Sequence, residues 1–76
     1  MYSKSEQMKI LKSTGYTEDS AKDALNIGTL FFNSLNELKE YKENNNFEFI
    51  TYDKGVLDGK EIFFIDTSCQ SQPYEI

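Results

Sequence analysis

A chain of 76 residues with 13 acidic side chains against 8 lysines, and with neither arginine nor histidine, carries a net charge of −5. The missing histidine removes the commonest general base and the triads built on it. With Cys69 as the lone cysteine there is no intramolecular disulfide and no ordinary zinc ligand set.

No stretch approaches the ~18 apolar residues of a membrane span, and the N-terminal MYSKSEQMKILKS has no apolar run of the signal-peptide kind. A cytoplasmic protein that does not enter membranes is expected. A chain this short buries only about 60% of the surface its unfolded form exposes. Stability must therefore come from packing, for which the aromatic content of 14% supplies the material. A homodimer is a second source of buried area.

Along the chain, Ser3-Lys4-Ser5-Glu6 is a capping-box pattern, and Gly15 suits the left-handed position that ends a helix, so helix one is predicted over about residues 4–14. The longest helical pattern comes next, from Thr17 to Asn46. Ala24, Gly28, Phe31, Leu35 and Leu38 recur at steps of four and three and form one apolar stripe, widened by Ala21, Leu25, Phe32 and Tyr41. Thr17 is a predicted N-cap, with Glu18 and Asp19 where the helix dipole favours negative charge. Gly28 costs about 1 kcal/mol inside a helix. With Thr29 able to cap a new helix, two helices over roughly 18–26 and 30–43 are predicted, one long helix kinked at Gly28 being the alternative. The run Asn44-Asn45-Asn46 stops the pattern.

From Phe47 the period becomes two. Phe47, Phe49 and Thr51 alternate with Glu48, Ile50 and Tyr52, and Glu61–Ile65 is a second β-prone run. Asp58-Gly59 between them is a two-residue hairpin signal. Asp53-Lys54-Gly55 reads either as a β-bulge or as a further turn leaving Val56-Leu57 as a short strand. The fold class predicted is α+β, with two to three N-terminal helices followed by an antiparallel hairpin packed on them. One domain is expected over residues 1–67, with an irregular tail at 68–76.

The residues offer little catalytic chemistry. Cys69 lacks a histidine or basic cluster to lower its pKa, and no phosphate-cradling glycine motif occurs. Asp53–Gly59 superficially matches a calcium loop, but Gly55 and Leu57 stand where oxygen ligands are needed. Asp58 and Glu61 as a glycosidase pair would need a sugar cleft that so small a domain scarcely accommodates. The reading is a non-enzyme without metal or cofactor.

Two family resemblances stand beside this. Gly15-Tyr16 followed by Ala21 and Ala24-Leu25 resembles the start of ubiquitin-associated three-helix domains over residues 8–38, with Phe32, Leu35 and Leu38 as the third helix. That resemblance implies a protein-binding face at Gly15-Tyr16 and the end of helix three. Over residues 4–66, helices followed by a hairpin resemble winged helix-turn-helix domains, with Ala21–Gly28 as first helix and turn, Thr29–Lys42 as recognition helix and Asp53–Lys60 as wing. It implies a DNA-binding transcriptional regulator using Thr29, Asn33, Ser34, Asn36 and Lys54. Base and phosphate readout usually uses Arg or Lys, whereas this helix offers Asn33, Ser34, Asn36 and Glu37.

Charge favours a protein partner. Residues 47–76 hold two Lys against six acids, a field that repels nucleic acid and membranes and steers toward a basic surface. In size and charge alone the chain resembles small acidic phage proteins that block host defence machinery, some by imitating nucleic acid. The predicted function is thus a non-catalytic inhibitor or adaptor docking an acidic surface on a basic partner protein. Glu48, Asp53, Asp58, Glu61 and Asp66 would meet its Lys or Arg, and Tyr52 would be the anchor.

Overall fold

In the computed structural model, which describes residues 2–68 and 72–76, the first capping box closes as its sequence predicts. The Ser3 hydroxyl accepts from the Glu6 N–H at 3.1 Å, and the Glu6 carboxylate accepts from the Ser3 N–H at 2.9 Å. Hydrogen bonding from Ser3 to the carboxylate, from its backbone N–H first and then its side chain, holds the Glu6 carboxyl below its ordinary range. Helix α1 spans Lys4–Lys12 and buries Ile10 and Leu11. A second box, Thr17 with Ser20, opens α2 at Glu18–Ile27, which turns Ala21 and Ala24 inward.

The apolar stripe does not continue as helix. Gly28 takes φ +136°, a backbone that L side chains rarely adopt, and Thr29–Phe32 leaves it as strand β1. The helix expected over 30–43 is corrected to this strand plus a shorter helix α3, Leu35–Asn44. Local preference explains the change. Thr29, Phe31 and Phe32 are β-branched or aromatic, and Ser34 rather than Thr29 is the cap, its hydroxyl accepting from the Glu37 N–H at 3.2 Å. The Thr29 hydroxyl instead donates back to the Ala24 carbonyl at 3.0 Å. Helix α3 ends in a Schellman motif with Asn46 at φ +56°. The Asn46 and Phe47 N–H groups bond the Glu43 and Lys42 carbonyls, each at 3.1 Å, and Phe47 packs on Tyr41 with ring centroids 6.0 Å apart.

Strands β2 (Thr51–Leu57) and β3 (Lys60–Asp66) form the predicted hairpin, with Asp58 and Gly59 both at positive φ. Gly55 makes neither bulge nor turn. Strand β2 runs straight through it, because a Cβ there would lie 2.4 Å from the Ile10 carbonyl oxygen and the bare glycine lets α1 rest on the strand. In the stretch expected to be irregular, Tyr74–Glu75 pairs with β2 as β4. Cys69 lies outside the described residues.

The antiparallel sheet has the order β1-β3-β2-β4. Its registers, Phe31↔Phe64 and Gly55↔Ile62 among them, sort side chains by the period of two. One face carries Phe31, Ile62 and Phe64 against Ile10, Leu11, Ala21 and Ala24 of α1 and α2. The other carries Phe32, Tyr52, Phe63 and Ile65 against Leu35, Leu38 and Tyr41 of α3. The class is α+β, three helices and a four-stranded sheet, with helices on both faces rather than a hairpin laid over a helical bundle. No helix among the described residues is long and apolar enough to cross a membrane.

Asp66 is only 3% exposed at the end of β3. The Tyr16 hydroxyl donates to its Oδ2, and the Ser68 N–H and hydroxyl donate to Oδ1 at 2.9 and 2.5 Å. The carboxylate thereby ties the loop after α1 to the sheet. Tyr16→Phe removes one of these donors from a buried acceptor and is expected to cost about 1–3 kcal/mol in urea unfolding.

Candidate docking groove

The acids singled out in the sequence do not converge. Asp58 sits in the hairpin turn and Glu61 just beyond it, paired with Lys54 at 3.2 Å. That hydrogen bond and the Glu61 charge raise the Lys54 pKa. Glu48 lies near the other end of β2, which at seven residues separates it from the turn by roughly 20 Å. Asp53 is half-buried, and its carboxylate accepts from the N–H of Lys54 at 2.7 Å. Tyr52 and Asp66 are buried, Tyr52 against Phe63 and stacked on Tyr74, so neither offers a free surface. Of the six predicted site residues, Glu48, Asp58 and Glu61 are exposed.

The residues of the second resemblance are mostly engaged within the fold. Asn33 accepts from the Tyr2 hydroxyl, Ser34 caps α3, Thr29 is bonded to α2, and Lys54 also lies 5.1 Å over the Tyr74 ring. Burial, followed by the Glu37 and Glu6 charges, pushes the Tyr2 hydroxyl pKa up.

What the fold does assemble is an apolar groove of about 340 Å³ on the α3 side of the sheet. Leu30 of β1, Ile65 of β3, Tyr41 of α3 and Phe47, Phe49 and Ile50 give it its apolar lining, and Thr51, Asp66, Thr67 and Gln72 complete it. Phe49 is 59% exposed, Phe47 45% and Leu30 39%. The Gln72 amide is fixed at the margin, bonding the Asp66 N–H at 3.2 Å and the Asp66 carbonyl at 3.3 Å. Helix α3 ends at Asn44, and its Schellman turn leads into the irregular residues that line the groove together with Leu30 and Ile65.

A larger cleft of about 540 Å³ between α1 and α2 is lined by Lys4, Gln7, Lys22, Asp23, Leu25 and Asn26, and has no aromatic wall. A neighbouring cleft gathers Lys4, Lys9, Lys12 and Lys22, with Lys12 bonded to Glu18 at 3.3 Å. The two helices also carry Glu6, Glu18, Asp19 and Asp23, so that layer is balanced in charge. Residues 1–34 hold four Lys against four acids, and residues 35–76 hold four Lys against nine, so the whole net charge falls from α3 onward.

Sequence reasoning placed Leu30 in a helix and Phe47 and Phe49 in a strand, and so missed the groove. The asparagine run carried the signal, since an Asn at the left-handed position after α3 directs the next residue back onto the helix. Among the described residues, no group of three or more Cys, Asp or Glu side chains converges as a metal ion would require. The chain matches no known family profile, no curated protein and no solved structure.

Proposed function

We propose that the protein is a non-catalytic binding module, an inhibitor or adaptor, that takes a basic segment of a partner protein on the α3 side of its sheet. An apolar side chain of the partner enters the groove against Leu30, Phe49 and Ile65, and its Lys or Arg meets Glu48. The observation that carries this reading is the exposed triplet Phe47-Glu48-Phe49 beside the groove, in the half of the chain that holds the net charge. Exposed aromatics rimmed by charge are the usual anchors of interfaces, and acidic rims steer basic partners.

Selection from a displayed random-peptide library tests it. The expected outcome is enrichment of Leu, Ile, Phe or Met flanked by Lys or Arg. Binding of the selected peptides should fall about tenfold or more with Phe49→Ala, a loss of at least about 1.4 kcal/mol. Glu48→Lys should mainly slow association at low salt, and Asp58→Lys, at the far end of the hairpin, should change little. Peptides without basic residues, or binding indifferent to Phe49, would remove the proposal. Tight binding to mixed duplex DNA at low salt would favour the regulator instead.

A further inference from the structure

Every sheet has two edges, and this fold treats them differently. On the outer side of β2 each N–H finds an acceptor. Ile50 bonds Ile76 at 3.0 Å and Tyr52 pairs with Tyr74, while Lys54 and Val56 donate to the Asp53 carboxylate at 2.7 Å and the Ser13 hydroxyl at 2.9 Å. Beyond it, β4 is a two-residue strand that comes after Pro73 and contains Glu75, both features that discourage further pairing.

Strand β1 is the opposite edge. Thr67 N–H donates to the Gly28 carbonyl at 3.2 Å, which sets the ladder so that Gly28, Leu30 and Phe32 face β3 and Thr29 and Phe31 face outward. Among the described residues no group bonds the outward backbone of Thr29 or Phe31. The next outward N–H, that of Asn33, is stopped by the Glu37 carboxylate at 2.9 Å. A cleft of about 330 Å³ lies along this edge, lined by Thr29, Leu30, Phe31 and Asn33 of the edge and by Tyr2 and Gln7 of the N-terminal segment. From Ile27 to Ser34 the chain has no charge and no proline, and Ile27 and Leu30 are exposed.

From this geometry we infer that β1 pairs antiparallel with β1 of a second copy, joining two sheets into one of eight strands. The register is self-complementary about Leu30. Thr29 of each copy exchanges both backbone bonds with Phe31 of the other, and the two Leu30 residues stand directly opposite as a non-hydrogen-bonded pair, their Cα atoms about 4.5 Å apart. Directly opposed residues share a face, so the two Leu30 side chains meet on the α3 side and the two grooves lie side by side. Charge selects a second copy over the basic partner of the groove. The paired segment Ile27–Ser34 is itself neutral, so strand pairing sets no like charges directly opposite, and the acid at the end of this edge, Glu37, is already engaged by the Asn33 N–H.

Sedimentation velocity over about a hundredfold range of protein concentration reads the equilibrium. A monomer–dimer transition is expected. Leu30→Lys, which sets two cations face to face and removes two buried leucines, should weaken it on the order of a hundredfold. Circular dichroism confirms that the variant is folded. In the unmodified protein, amide exchange at Thr29 and Phe31 should slow at high concentration and recover on dilution. A monomer throughout with unprotected Thr29 and Phe31, or a dimer indifferent to Leu30→Lys in the folded variant, would overturn the inference.

Discussion

Phe64→Ala should lower the unfolding free energy by about 3–5 kcal/mol. Phe64 has no exposed surface and stands in β3 between the strands that flank it. Its ring meets Phe31 at 5.9 Å and Tyr16 at 6.2 Å, so one side chain links β1, β3 and the loop after α1. Truncation leaves a cavity that neither neighbouring strand can fill without breaking a ladder. A chain of 76 residues has a total stability of only about 4–11 kcal/mol at typical values per residue. The variant is therefore expected to be marginal at best, with a urea midpoint near the start of the titration. Phe64→Leu, which keeps most of the volume, is expected to lose about 1.5 kcal/mol or less. Equal losses in the two variants would mean that the site is loosely packed and that the core has been misplaced.

The second large effect comes from adding a methyl group. In Gly55→Ala the new Cβ would lie 2.4 Å from the Ile10 carbonyl oxygen, 2.7 Å from the Ser13 hydroxyl and 2.8 Å from Ile10 Cγ2. The first of these is helix backbone, so relief requires α1 to withdraw from β2. That movement also breaks the bond by which Ser13 accepts from the Val56 N–H. A loss of about 3 kcal/mol is expected by chemical denaturation. Gly55 has no positive φ, so the cost is steric. Gly59→Ala is the matching control. Nothing lies within 4 Å of its Cβ, but its φ is +81°, and about 1–2 kcal/mol is expected from backbone strain alone.

These two positions also show how far the sequence could be read. Helices α1 and α2 were legible because their signals are local. Ser3 with Glu6 and Thr17 with the acids next to it mark starts, and Ile10, Leu11, Ala21 and Ala24 supply the inward faces. Asp58-Gly59 fixed the hairpin for the same reason, since its turn type depends on two adjacent residues. Gly55 was misread because its cause is not local. It is a glycine to admit a helix some 40 residues earlier in the chain, and no window around residue 55 contains Ile10.

The central stripe failed differently. Ala24, Phe31, Leu35 and Leu38 do have helical spacing, yet Ala24 and Phe31 enter the core on one sheet face while Leu35 and Leu38 enter that on the other. A chain that crosses from one layer to the next keeps its apolar residues and loses its period. Gly28 and Ser34 were the markers of that crossing. Of the candidate surface, Glu48 was legible as an exposed acid. Tyr52 and Asp66 were not legible as buried, because a strand with apolar residues on both sides gives no clue that both faces are covered. The groove itself depends on where α3 stops, and that is set by three asparagines whose conformations only the fold distinguishes.

The most direct test of the groove is a ¹H–¹⁵N correlation spectrum recorded as a selected Lys- or Arg-flanked apolar peptide is added. The amides of Leu30, Phe47, Glu48, Phe49 and Ile65 are expected to shift together along one binding curve, with the α1–α2 layer unmoved. Shifts concentrated at Gly15–Tyr16 or along the Lys4–Lys22 cleft, with the groove silent, would contradict it and move the binding surface to the opposite side of the sheet.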